Sequence, residues 1–141
     1  MADEFKFEFT NLNLVLGQLK QKVDIAEKAA RYALGQVALA VEREAKLNAA
    51  TGTHRPGEPT SAVIGSGPNI ITGNLNRSIH TEIKGFGGGY EALVGPTMVY
   101  ARAVELFPDG SERYPYLGPA GRKIKPKANQ IFLVNFRKIW R

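Results

Sequence analysis

Cysteine is absent from this 141-residue chain, which excludes disulfides, thiolate catalysis and cysteine-ligated zinc without identifying any one redox compartment. No apolar run approaches the roughly 18 to 20 residues that a membrane-spanning helix needs. The opening MADEFKFEF has the wrong charge pattern for a secretory signal, so a soluble protein made in a cytoplasm is expected. Acidic residues are missing from one region in particular. None follows Glu112, whereas Arg113, Arg122, Lys123, Lys125, Lys127, Arg137, Lys138 and Arg141 all do. The net charge of +6 is therefore largely a property of the C-terminal segment, residues 121–141. Such a segment can meet nucleic-acid phosphates, meet an acidic protein neighbour, or form a solvated face.

What is present is enough for a core. The length suits one domain, 1–141, and 43% hydrophobic with 23% charged residues is ordinary globular composition rather than disorder. FKFEF, residues 5–9, alternates phenylalanine with charge at the period of a half-buried strand, an edge or arm. From Leu12 the period changes to that of a helix, with Thr10 and Asn11 as candidate caps. Leu19, Val23, Ala26, Ala30, Ala33, Val37, Val41 and Ala45 trace one stripe, with Leu16 and Leu34 beside it; Gly17 or Asp24 can break the first turns. Alanine in the stripe lets something flat, such as a sheet, approach closely. Lys20, Lys22, Glu27, Lys28, Arg31, Glu42 and Lys46 fall on the opposite, solvated face, and NAATG (48–52) supplies a glycine stop.

Residues 51–73 hold five glycines and three prolines, an extended loop of the kind that is functional or disordered. GSGPN within it lacks the lysine and following helix of a phosphate-binding loop. His54 has no ligand-spaced partner beyond Glu58, so a solvated histidine is expected rather than a metal site. Beyond the loop, Leu75, Arg77, Ile79, Thr81 and Ile83 are expected on one face of a strand, and Asn76, Ser78, His80 and Glu82 on the other. GFGGG (85–89) turns the chain into a second strand with Tyr90, Ala92 and Val94 on one face. Val99, Ala103 and Leu106 then line a short helix closing on the sheet, before a PDGS turn. In the last run, Ile131, Val134, Ile139 and Trp140 suit a helix while IFLVNF suits a strand nearly as well, and periodicity does not settle which. The expected class is α+β: a long N-terminal helix packed on a small antiparallel sheet, with a long inserted loop and a C-terminal segment.

Catalysis finds little support. Ser78, His80 and Glu82 share a strand face, but alternate strand residues lie about 6 to 7 Å apart, too far for a direct relay. No enzyme and no cofactor are expected. A DNA-binding module is a separate reading, carried by the basic residues interleaved with Tyr114, Tyr116, Phe132, Phe136 and Trp140, although no known DNA-binding signature is visible.

ITGNLNRSI (71–79), a Gly-rich hairpin, VGPTMVYARAVE (94–105) and YPYLGPA (114–120) follow one another in an order that resembles the gene-ten-like minor tail component family of long-tailed, non-contractile bacteriophages. These are also called neck or tail-completion proteins. The likeness covers roughly residues 20–125 and rests on the three motifs together. The family commonly has glycine two residues after the glutamate, where this chain has Phe107, and its loop is usually shorter than 51–70. The resemblance implies a virion protein of the head-to-tail junction, in a homo-oligomeric ring expected to be six-fold, bound to other junction and tail proteins and loosely to the DNA in the channel. No membrane partner is implied. It also gives the motif residues structural roles. Thr72 and Gly73 end the loop and set register, with Leu75 and Ser78 in the strand that follows. Tyr100 and Ala101 pack the short helix on the sheet. Glu105 is a semi-buried carboxylate pairing with Arg77 or Arg102. Tyr116 and Leu117 fill a core pocket, and Gly118 with Pro119 ends an extended run. His54, Arg55, Glu58, Phe107, Arg122, Lys123, Lys125, Lys127, Arg137, Lys138 and Trp140 are the candidate contacts to subunits or partners.

Overall fold

A computed structural model describes residues 5–9, 23–52 and 63–140. Its centre is one long helix, α1 (Val23–Asn48), with Asp24 in the first turn and Lys46 in the last, each suited to the helix dipole. The expected stripe is buried from Ala26 to Ala45, with Leu34 beside it, but burial extends to Ala29, Gly35 and Ala38 as well. The reason is that α1 is covered on two sides. The sheet packs on one, and two C-terminal helices, α4 (Leu117–Ile124) and α5 (Ala128–Ile139), pack on it too. Small side chains allow both approaches: a Cβ on Gly35 would stand 3.2 Å from Ile83 Cδ1. Glu42, expected among the solvated residues, is half-buried and ties α1 to the sheet, accepting from Thr81 Oγ1 at 2.8 Å and pairing with Lys46 at 2.7 Å.

The sheet has three strands in the order β1 (Phe5–Phe9), β3 (Gly89–Gly95), β2 (His80–Phe86), all neighbours antiparallel. FKFEF is thus an edge strand, as its alternation predicts. The β2–β3 hairpin closes through Gly87 and Gly88, and Gly88 adopts φ 91°, a conformation open to glycine at little cost. Ala92 and Val94 face the core shared with α1, while Leu93, also buried, belongs to the other face.

Three expectations change, and one alternative left open by the sequence is decided. Residues 74–78 are not strand but a short helix, α2 (Asn74–Ser78), launched by Gly73 at φ 79°, so β2 begins only at His80. Thr72 and Gly73 therefore start a helical turn instead of setting strand register. Ser78 turns its hydroxyl back to the Leu75 carbonyl at 2.8 Å and lies outside the strand that carries His80 and Glu82. In the next short helix, α3 (Ala101–Glu105), the buried residues are Ala101 and Glu105; Ala103 is exposed, and Val99 just before it is 95% exposed. Five residues give too little helix for a period to be read, and the backbone bond from Ala101 N–H to Met98 O tightens the entry. YPYLGPA stops being extended at Tyr116, and Gly118 and Pro119 sit inside the first turn of α4. Finally, the last segment is helical. Phe132 and Phe136, then Phe136 and Trp140, stack at four-residue steps with centroids 5.8 and 5.9 Å apart, a ladder only a helix provides. Ile131 leans into the core, whereas Val134 and Ile139 are 50% and 40% exposed.

The long loop rejoins the body before its end. A Cβ on Gly52 would lie 2.6 Å from Asn69 N, and one on Gly67 would lie 2.1 Å from Asn48 O. Gly67 of GSGPN thus permits backbone to pass close to the end of α1. No helix among the described residues is long and apolar enough to cross a membrane.

Candidate partner-docking groove

Glu105 organises the region where the three motifs meet. It is 2% exposed, and its carboxylate accepts backbone N–H bonds from Tyr116 at 2.9 Å, Leu117 at 3.0 Å and Gly118 at 2.8 Å. These are the first donors of α4, which a helix leaves without internal partners. Pro119 comes next and has no N–H to satisfy. One carboxylate and one proline therefore account for the whole first turn, and the negative charge lies at the positive end of the helix dipole. Gly118 leaves room for this: a Cβ there would come 3.2 Å from Glu105 Oε1. Glu105 was expected to pair with Arg77 or Arg102. Instead Arg77 bonds Asn74 Oδ1 at 2.7 Å and the Thr72 carbonyl at 3.2 Å, and Arg102 is exposed.

Tyr116 extends the knot. Its ring is fully buried, its hydroxyl donates to Ala101 O at 3.3 Å, and its carbonyl accepts from Asn48 Nδ2 at 3.0 Å. Leu117 is fully buried beside it, as expected for both. The rigidity of YPYLGPA thus joins α1, α3 and α4 at one point.

Against this knot lies an apolar groove of about 460 Å³. Ile70, Ile71, Thr72, Gly73 and Leu75 line one side, and Tyr100, Val104 and Tyr114 the other. All three motifs contribute. Ile71 is 58% exposed at its rim and Tyr100 41%, so Tyr100 serves the groove rather than packing α3 onto the sheet. The floor is held by Asn76 Nδ2 donating to Lys46 O at 2.6 Å, and by Tyr114 N–H donating to Val104 O at 3.1 Å.

Among the described residues, none of the candidate contacts lines this groove. His54, Arg55 and Glu58 lie outside the described residues. Phe107 is half-buried, with the Arg113 guanidinium 5.6 Å from its ring centroid. Arg122 pairs with Glu112 at 2.5 Å and Lys123 with Glu44 at 2.9 Å. Lys125 and Lys127 are exposed on the 3-10 turn between α4 and α5, and Arg137 and Lys138 on the last turn of α5. Trp140 is half-buried against Phe136. The interleaved aromatic and basic residues thus separate in space: Tyr116 and Phe132 are buried while the charges face out. Ile70, Val104 and Tyr114 were not singled out as groove residues. The adjacent isoleucines in a Gly- and Pro-rich loop were the one available signal.

No protein-family model, curated protein or solved structure matches this chain.

Proposed function

We propose that this chain is a structural assembly protein of a tailed-phage head-to-tail junction, one copy of a ring around the DNA channel that joins tail to capsid. It is a scaffold in this reading and carries out no catalytic step. The observation that carries the proposal is the meeting of the three motif segments around one apolar groove, fixed from behind by Glu105. Segments distant in sequence share a motif order because they build one surface. An apolar groove with an exposed rim suits a neighbour's side chain better than it suits a polar metabolite. Val99, the chain neighbour of Tyr100, is a further apolar side chain left 95% exposed. The ring is expected to be six-fold, with other junction proteins above and below it.

DNA contact enters this proposal only loosely. Lys125, Lys127, Arg137 and Lys138 offer phosphate contacts, but buried Tyr116 and Phe132 are not available to stack on bases, which weighs against a dedicated single-strand binding module.

The test is Ile71→Asp in a phage whose junction contains this protein. Ile71 is exposed, so the variant is expected to fold with an unchanged thermal midpoint. Unjoined heads and tails should nevertheless accumulate in micrographs of the lysate. Normal infectious particles from the variant would overturn the groove's role. The long loop offers a second handle, with deletion confined to residues 53–62, since Gly67 and Pro68 are buried against the body.

A further inference from the structure

Two outward helix faces differ in charge. On α1, Asp24, Glu27 and Glu44 are interspersed with Lys28, Arg31 and Arg43. Between Arg113 and Trp140 there is no acidic side chain at all. The cations of α4 find carboxylates elsewhere, Arg122 on Glu112 and Lys123 on Glu44. Lys125, Lys127 and Arg137 are exposed and have no carboxylate partner among the described residues, and Lys138 reaches only the amide oxygen of Asn135, at 3.1 Å. Folding accounts for part of this charge. Arg137 and Lys138 close the last turn of α5, where the helix dipole favours cations, and Lys125 does the same at the end of α4. Lys127 immediately precedes α5, whose first turn holds no acidic residue, so a positive charge stands at the positive end of that dipole.

The same cations frame an apolar strip. α5 turns Ala128 and Phe132 into the core, with Ile131 and Phe136 packed against it. On the opposite side, at helical spacings of three, four and seven, stand Gln130, Leu133, Val134 and Arg137, all exposed. Leu133 is 48% and Val134 50% exposed, side by side on that face. Lys127 lies two turns before Val134, so Lys127 and Arg137 bracket the apolar pair from positions about 15 Å apart along the helix.

Such a face fits one kind of surface. Phosphates reward the cations but not the leucine and valine between them, and a neutral apolar surface would strip water from the cations without supplying a counter-charge. A helix that carries apolar side chains between two carboxylates about three turns apart satisfies both requirements. We propose that the outer face of α5 docks an acidic amphipathic helix of a partner protein, its apolar side chains on Leu133 and Val134 and its carboxylates at Lys127 and Arg137. Charge complementarity carries the proposal, since the one sign of charge missing from this end of the chain is the sign the partner brings. The contact is separate from the groove between Ile71 and Tyr100, and none of its residues lines that groove. It names the chemistry of one neighbour within the junction reading above, and rests on that reading only for where the neighbour is found.

The probe is a synthetic, fluorescently labelled, alanine-based peptide of about 18 residues, long enough to hold a helix. It carries leucines at three- and four-residue spacing and a glutamate beyond each end of the leucine face. Its anisotropy is titrated with the purified full chain, and saturable binding is expected. Val134→Asp, and separately Leu133→Asp, should weaken binding about tenfold. Both side chains are exposed, so circular dichroism should report the same fold. Lys127→Glu together with Arg137→Glu should lose the glutamate peptide and gain a peptide with lysine in place of each glutamate, a reversal that a folding defect does not produce. Absence of saturable binding overturns the proposal, as does binding that Val134→Asp or the charge-reversed pair leaves unchanged. A DNA duplex, or anionic lipid vesicles, binding more tightly than the peptide and displacing it overturns it too. No peptide binding with the protein still at the head-to-tail joint of virions removes this contact and leaves the junction reading. Peptide binding with the protein absent from virions does the reverse.

Discussion

Glu105, the last residue of α3, and Asp109, in the turn that follows, are four residues apart, and both carboxylates accept backbone N–H bonds, yet they do different work. Asp109 sits in the PDGS turn with Gly110 at φ 87°, and takes the Ser111 N–H at 2.9 Å and the Ser111 hydroxyl at 2.6 Å. Both donors are local and solvent competes for each. Glu105 takes three donors from a segment eleven to thirteen residues away, out of water's reach. A hydrogen bond to a charged group contributes about 1.5–3 kcal/mol where it is buried, and much less at an exposed surface. The lesson is that burial and sequence separation, more than the number of bonds, decide which carboxylate holds the fold together.

The strongest way to break the contrast is Glu105→Ala. It strands three N–H groups at the start of α4, and a loss of roughly 3–5 kcal/mol is expected, read as a drop of about 4 °C in thermal midpoint per kcal/mol. Glu105→Gln should be milder, because one oxygen remains while its amide group faces donors. Gly67→Ala is expected next, at roughly 1–3 kcal/mol by denaturant titration, since its Cβ would meet the Asn48 carbonyl and backbone must move. Tyr116→Phe should cost about 1 kcal/mol, removing the hydroxyl's bond to Ala101 while keeping the buried ring.

The surface supplies the other end of the scale. Arg122→Ala breaks an exposed ion pair with Glu112 and should change stability by no more than about 1 kcal/mol, an effect that vanishes in high salt. The smallest effect belongs to Asp109. The Ser111 hydroxyl, and then its backbone N–H, hold the Asp109 carboxyl below the usual carboxylate range. A lowered folded-state pKa contributes stability that is full above the unfolded-state value and fades as pH falls through the folded one. Asp109→Asn should therefore flatten only the acid limb of a stability profile. A large loss at neutral pH would erase the contrast with Glu105.

Long periods were legible in the sequence and short ones were not. The α1 stripe, the alternation of FKFEF and the Gly-rich hairpin each repeat a signal over several residues, and the α+β architecture follows from them. Asn74–Ser78 looked like strand because Leu75 and Ile79 have compatible spacing in either state; only the left-handed Gly73 decides for a helical turn. The C-terminal helix was ambiguous because IFLVNF carries apolar residues in consecutive positions. Tertiary packing of Phe132 against the core resolves it. The groove was the least legible feature. Its walls come from three separated segments, and what joins them is a carboxylate reaching across space to a helix end, a pairing no local pattern encodes. Glu105 stood out in the sequence, but its partners did not.

The central claim is that this fold serves as a ring component where head meets tail. Cryo-electron microscopy of intact virions carrying this protein tests it most directly. The account predicts density at the head-to-tail joint that accepts α1, the sheet and the α4–α5 pair in repeated copies. Particles whose joint holds no such density, with the protein absent from the virion, would contradict it.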